Sequence, residues 1–295
     1  MQMKNLILVA GATGNLGHKI CRELTKLNVP IRAIVREGSD PEKIQALEQL
    51  GVDIFKVDMS NEQELIGACH DVSCIVSAVA GLHAVIVDVQ TKLLNAAVTA
   101  GVPRFIPSDF STDFTTMPDG ANRNFDLRKE FEAILDSAPI KATSIFNGAF
   151  ADILRYNIPL FNTKEKTIAY YDDKADWKID FTTMNDTAAF TARAALDDNT
   201  PRYLRIASFQ VSPNDLVSLS EKHKGSKFQL VHMGSMENFS AYNKAQRAAD
   251  PEGENKLYPK WQQAQYLYSM FLVHHSALNN DRYEGINWSP VEHNI

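Results

Sequence analysis

Short apolar runs alternate with amphipathic stretches over the first 150 residues of the chain. The runs fall at residues 5–10, 31–35, 53–57, 74–79, 104–107 and 142–146, and the amphipathic stretches at 18–27, 41–50, 62–68, 85–100 and 128–137. This alternation predicts a repeating βα pattern. Two of the runs, Leu6-Ile7-Leu8-Val9 and Ile75-Val76-Ser77-Ala78-Val79, have almost no polar face. Strands of that kind are buried on both sides, as in a parallel sheet covered by helices. The expected architecture is therefore α/β, a Rossmann-type doubly wound parallel sheet whose ligands bind beyond the C-terminal ends of the strands.

Past residue 150 the rhythm weakens. Residues 167–171 and 178–182 flank the polar stretch Asp172-Asp173-Lys174-Ala175-Asp176 and read as a hairpin. Asp186 is placed to cap a helix through Leu196. A strand is expected at 203–207, with helices at 214–222 and 261–272. The division that follows is a cofactor-binding domain over 1–150 and a smaller α+β cap over 151–295, interwoven with it and meeting the substrate.

Composition narrows the function classes. The chain has 295 residues, 44% of them hydrophobic, with 30 Lys and Arg against 36 Asp and Glu, a formal net charge of -6. The charges are scattered in sign, which argues against nucleic acid as a partner. The three cysteines, Cys21, Cys69 and Cys74, form no CxxC pair and have no histidine at ligand spacing. Neither a disulfide framework nor a metal site is expected, and a reducing cytoplasmic location follows. No stretch reaches the roughly 18 apolar residues of a membrane span.

The first apolar run leads directly into Gly11-Ala12-Thr13-Gly14-Asn15-Leu16-Gly17 and then into a helix. The first glycine permits a tight turn, the second lets a pyrophosphate approach the main chain, and the third lets helix and strand pack closely. The helix N-terminus supplies N–H groups and positive dipole to the phosphates. About 20 positions beyond this turn an NAD site places an acidic residue on the ribose hydroxyls. Here that place holds Arg36, with Lys43 on the next helix. A guanidinium suits a 2′-phosphate, so the expected cofactor is NADP(H). Glu37 and Asp40 lie between the two cations.

These residues resemble the NmrA-like atypical short-chain dehydrogenases, and within them the isoflavone reductase and phenylcoumaran benzylic ether reductase branch. The matching stretches are Ala10 to Gly17, Val35-Arg36-Glu37 with Pro41-Glu42-Lys43, residues 51–58, and Gly101-Val102-Pro103-Arg104-Phe105-Ile106-Pro107-Ser108-Asp109-Phe110. The resemblance implies a loop beside the nicotinamide at Ser108, Asp109 and Phe110. The cofactor set expected from turn and resemblance together is Gly11, Thr13, Gly14, Asn15, Leu16, Gly17, Arg36, Lys43, Asp58, Ala78, Ser108, Asp109 and Phe110. The resemblance further implies a catalytic lysine at the position that holds Arg128 here. An arginine stays protonated, so it donates hydrogen bonds but shuttles no proton. Lys129 is about 100° further around the helix. Arg128, Lys129 and Ser108 are the catalytic candidates.

Aromatic residues gather at Phe110, Phe114, Phe125, Phe146 and Phe150. Phe146 is expected in the core, and Phe110, Phe114, Phe125 and Phe150 with Asn147 against a small substrate. Residues 111–124 lack periodicity and read either as a lid or as a surface excursion. Tyr170-x-x-x-Lys174 has the spacing of a dehydrogenase Tyr/Lys pair but falls on the expected hairpin. His274-His275 reads as a solvated or capping pair. Two functions are left open: an NADPH-dependent reductase of a small carbonyl or activated-alkene compound, possibly aromatic, or a non-catalytic NADP(H) sensor that reports to a protein partner.

Overall fold

The apolar run at the N-terminus becomes β1 (Leu6–Ala10), with Ile7, Leu8 and Val9 fully enclosed. A computed structural model describes residues 5–225 and 227–295. Contacts divide the chain into two units: residues up to 110 with 127–145 and 187–204, and residues 111–126 with 146–186 and 205–295.

In the first unit β1 is joined by β2 (Ile31–Val35), β3 (Asp53–Lys56), β4 (Val72–Ser77), β5 (Arg104–Ile106) and β6 (Lys141–Ala142). The sheet order is β3-β2-β1-β4-β5-β6, and every pairing is parallel. The order reverses at β1, whose Val9 is in register with Ala33 on one side and Val76 on the other. That reversal is the place where a doubly wound sheet binds its ligand. The flanking helices are α1 (Asn15–Lys26), α2 (Pro41–Glu48), α3 (Glu62–Cys69), α4 (Gln90–Thr99), α5 (Arg123–Asp136) and α6 (Met184–Ala194). A π-helical turn, Ala84–Val89, leads into α4. Leu8, Ile34, Leu65, Ile75, Leu94, Phe105 and Phe131 share one core. Buried Arg104 donates to the carbonyls of Ala194, Ala195 and Asp197, a cation completing the open C-terminus of α6.

Three boundaries in this unit differ from the sequence reading. The first helix starts at Asn15 rather than 18, because Gly14 takes an extended conformation and serves as its N-cap. The run at 142–146 divides into β6 and β7 (Ser144–Phe146), since Thr143 bonds back to Phe105 while Ser144 turns to the carbonyl of Arg202. The fifth helix begins five residues early, because the Asn122 side chain accepts from the N–H groups of Asn124 and Phe125 as an N-cap does.

The second unit contains β8 (Ala149–Phe150), β9 (Thr167–Tyr170) and β10 (Ile179–Thr182), then, after β11 (Tyr203–Arg205) has carried the chain back, β12 (Phe209–Val211) and β13 (Gln229–His232). Its helices are α7 (Pro213–Lys224), α8 (Met236–Ala249) and α9 (Lys260–Met270). The expected hairpin does not form. β9 pairs in parallel with β13, while β10 lies between antiparallel β12 and parallel β8. The intervening turn is held elsewhere: Asp172, at φ 47, donates its N–H to Gly234 and accepts from the N–H of Met236. Asp186 is not a cap either. Thr183 Oγ1 accepts from the N–H of Asp186, while the Asp186 carboxylate takes the Ser208 hydroxyl and the N–H of Ser289. Phe161 stacks on Phe228 and Tyr171 on Phe239 in this unit's core.

Candidate active site

β1 ends in a turn that only glycine completes. Gly11 has φ +80, and a Cβ there would lie 2.6 Å from the carbonyl oxygen of Ala78, just past β4. A Cβ on Gly17 would lie 2.8 Å from the Gly11 carbonyl carbon, so the third glycine packs the helix against the turn itself. The Gly14 N–H closes the turn onto the Gly11 carbonyl at 2.9 Å. The first turn of α1 has no side-chain cap and no acidic residue. Its backbone N–H groups and dipole therefore suit an anion, and Thr13, Gly14, Asn15 and Leu16 all keep solvent-accessible surface.

Around this turn the sequence candidates separate by what they already hold. Arg36 directly follows β2, is exposed, and its guanidinium has no partner among the described residues. Its backbone N–H and C=O close a turn with Ser39. Lys43 is exposed in the first turn of α2, and Asp40 is occupied as that helix's N-cap. Asp58 is exposed but committed: its Oδ1 takes both the N–H and the hydroxyl of Ser60, which holds its carboxyl below the usual range.

The loop after β5 is fixed atom by atom. Ser108 donates its hydroxyl to the carbonyl of Val79 at 2.7 Å, and its N–H goes to Oε1 of Gln90. Gln90 is fully buried on α4 and holds itself by donating to Ile86. An amide in line with the apolar face of that helix, one turn before Leu93 and Leu94, is the signal that sequence reading passed over. Arg128, partly buried on α5, donates from Nε to the carbonyl of Ser108 at 3.0 Å. Lys129 is partly buried next to it. Asp109 is 1% exposed and accepts the Ser144 hydroxyl at 2.6 Å. Burial pushes its carboxyl up to about 6, against the pull of Ser144, Arg128 and Arg202.

In the second unit, Phe114 is fully enclosed and Phe125 nearly so. Phe114 meets Phe146 edge-on at 5.2 Å, and Phe125 meets Tyr266 at 5.4 Å. Both behave as core side chains. Phe150 is half-buried, and Phe110, in the first unit, is 8% exposed. Asn147 is fully buried, its backbone N–H bonded to Ser111, yet neither polar atom of its side-chain amide has a partner among the described residues. Residues 111–124 are anchored at both ends, and their middle, residues 118–120, is exposed as a surface excursion. Asp113 is ion-paired with Arg205 at 2.6 Å, and Arg123 donates to the carbonyls of Gly253, Glu254, Lys256 and Leu257.

The remaining motifs dissolve into packing. Lys174 sits over the ring of Trp177 at 3.7 Å, and Tyr170 lies against His232. His274 meets Trp177 edge-on, while His275 is buried 3.5 Å from Asp180. Among the described residues no His, Cys, Asp and Glu cluster could hold a metal, and no helix is long and apolar enough to cross a membrane.

The model of the NmrA-like family matches residues 3–279. The chain belongs to this family. Its NmrA-like relatives include pinoresinol reductase 2 of Arabidopsis thaliana, 31% identical over 74% of each chain, and isoflavone reductase homolog P3 of the same plant, 29% identical over 78% of each. Among solved structures, AtPrR2 with NADP+ and (+)pinoresinol superposes with TM-score 0.79 at 24% identity, covering 98% of this chain and 97% of that one. The leucoanthocyanidin reductase–NADPH complex from Vitis vinifera gives 0.78 at 20%, with the same coverage. The NmrA-like fold of the whole chain is that of these reductases.

Proposed function

We propose that this chain is an NADPH-dependent reductase of a small aromatic substrate with a carbonyl, an activated alkene or a comparable electrophilic carbon. The carrying observation is the uncapped, acid-free first turn of α1 beside a partnerless Arg36 at the end of β2. That pair suits a pyrophosphate and a 2′-phosphate together. The substrate class follows the relatives, which are named as pinoresinol reductase, isoflavone reductase homolog and pinoresinol-lariciresinol reductase.

Gly11, Gly14 and Gly17 would admit the cofactor's phosphates to the main chain, and Arg36 with Lys43 would hold the 2′-phosphate. When bound, NADPH supplies a hydride to the acceptor carbon. Arg128 donates hydrogen bonds to oxygen on which negative charge develops, and the balancing proton comes from water. Ser108, its own proton engaged by Val79, shapes the loop and offers oxygen lone pairs. In the second unit, Asn147 and Phe150 retain an unsatisfied amide and ring surface for a ligand.

Arginine at position 128, where the family resemblance implies a lysine, favours a second reading, a cofactor sensor acting through a protein partner. A reducing, cytoplasmic setting suits either, since all three cysteines are free and buried. Incubation with NADPH and a panel of aromatic aldehydes, quinones, enones and pinoresinol, followed at 340 nm, decides between them. Consumption of NADPH with at least one member is expected. Consumption with none, together with partner binding that differs between NADP+ and NADPH, would overturn the enzyme reading.

A further inference from the structure

The α5 face that carries Arg128 repeats every four residues as Arg128, Glu132 and Asp136. Positions at that spacing lie one above another on a helix. Arg202 reaches this stripe from outside the helix, donating from Nε to Asp136 Oδ1 at 2.8 Å and from Nη2 to Glu132 Oε1 at 3.2 Å. Its Nη1 donates to the hydroxyl of Ser144 at 2.7 Å, and that hydroxyl donates to Asp109 Oδ2. Ser144 is fully buried. The Tyr203 hydroxyl closes the outer end by donating to Glu132 Oε1 at 2.9 Å.

A chain of charges and two hydroxyls thus runs from solvent to Asp109 in the loop after β5, where the neighbouring Ser108 carbonyl takes the Arg128 Nε–H. We propose that Asp109, Ser144 and Arg202 are positioning residues that tie down the Ser108–Asp109 loop and, through the Ser108 carbonyl that takes the Arg128 Nε–H, fix the Arg128 guanidinium as an immobile donor. The proposal rests on the reductase reading for its catalytic consequence, but not for its geometry.

The chemistry explains why arginine suits this position. A lysine acts there by giving and taking a proton. A permanently charged guanidinium contributes only by holding its donors in place. Long side chains lose rotamer freedom when fixed, and a buried carboxylate is a costly way to fix one unless its bonds are directional. Here one is: the Ser144 hydroxyl on β7 donates to Asp109 Oδ2, while the Arg128 and Glu132 charges on α5 and the Arg202 charge before β11 act on Asp109 through space. A carboxylate pushed up to about 6 by burial is ionised at neutral pH and neutral in mild acid. The Ser144–Asp109 bond that ties down the loop is therefore charge-assisted above that pH and weaker below it.

The test combines Asp109→Asn and Ser144→Ala with two readouts. Using whichever panel compound the protein reduces, kcat falls at least 30-fold in Asp109→Asn, with KM and NADPH affinity within threefold. The rise of kcat through about pH 6 disappears. Ser144→Ala gives a smaller loss, and Arg202→Lys retains more activity than Arg202→Met. Independently of turnover, the Arg128 Nε–H signal in nitrogen-15 NMR, assigned by its absence in Arg128→Lys, exchanges slowly in the parent and quickly in both network variants. Variants that lose thermal stability while keeping kcat, the pH profile and the slow Nε–H exchange would overturn the proposal. If the parent reduces nothing on the panel, the reductase reading fails and the exchange measurement alone decides the positioning role.

Discussion

One methyl group at Gly11 or Gly17 is enough to test the turn after β1. In Gly11→Ala the new carbon meets the Ala78 carbonyl and sits on a left-handed backbone, so NADPH affinity should fall at least tenfold and thermal stability with it. Gly14 has ordinary φ and only one crowded neighbour, the Gly11 oxygen at 3.1 Å. Gly14→Ala should therefore unfold nothing, and its effect on NADPH titration isolates how closely the phosphate approaches. Arg36→Ala should remove most of an expected tenfold preference for NADP(H) over NAD(H) in the same titration. Equal affinities in the parent would reduce Arg36 to a surface charge. Residue spacing made the turn legible and singled out Arg36, whose role this titration tests. Asp58 shows where spacing stops: its place after β3 was clear, but its engagement by Ser60 was not.

Elements were legible where one physical signal dominated. β1, β2 and the second to fourth helices came from apolar runs and periodicity. The hairpin failed because β9 and β10 each find partners far along the chain, which turn chemistry between them cannot announce. The eighth helix was missed because the face it buries, Met236, Phe239 and Asn243, ends its apolar stripe on a polar residue. Capping gives the sharpest predictions at this scale. Ser212 and Asp215 form a reciprocal box at the start of α7, and Ser212→Ala should cost about 1 kcal/mol in urea denaturation. Asn122 caps α5, donates to Ser269 Oγ, and accepts from Gln262 Nε2. Asn122→Ala should cost about 3 kcal/mol, because it strands buried partners as well as a helix end. A loss no larger than that of Ser212→Ala would show that the far partners add nothing.

For the molecule as a whole, two buried groups of the second unit set opposing pH dependences. Asp180 is pushed up to about 6 and His275 down to about 4, both by burial. The folded state prefers neutral Asp180, so that contribution to stability is full in acid and declines as pH rises towards 6. It also prefers neutral His275, whose contribution is present above the ordinary imidazole range and is lost as pH falls towards 4. Denaturation between pH 4 and 7 should therefore show Asp180→Asn gaining on the parent as pH rises, and His275→Gln gaining as pH falls. Parallel curves would mean that neither group is held neutral.

The discontinuity of the two units also has a meaning in time. Arg104 needs the carbonyls of 194–197, and Asn122 needs Ser269, 147 positions later. A chain emerging from the ribosome cannot satisfy either until most of it has been made, so buried polar groups and apolar strands wait together in the open. Such a nascent chain is an expected client of chaperones, and pausing synthesis after residue 150 should leave a protease-sensitive product. A pause after residue 204, with the rest of the tunnel's length cleared, should be the earliest at which the six-stranded sheet resists digestion.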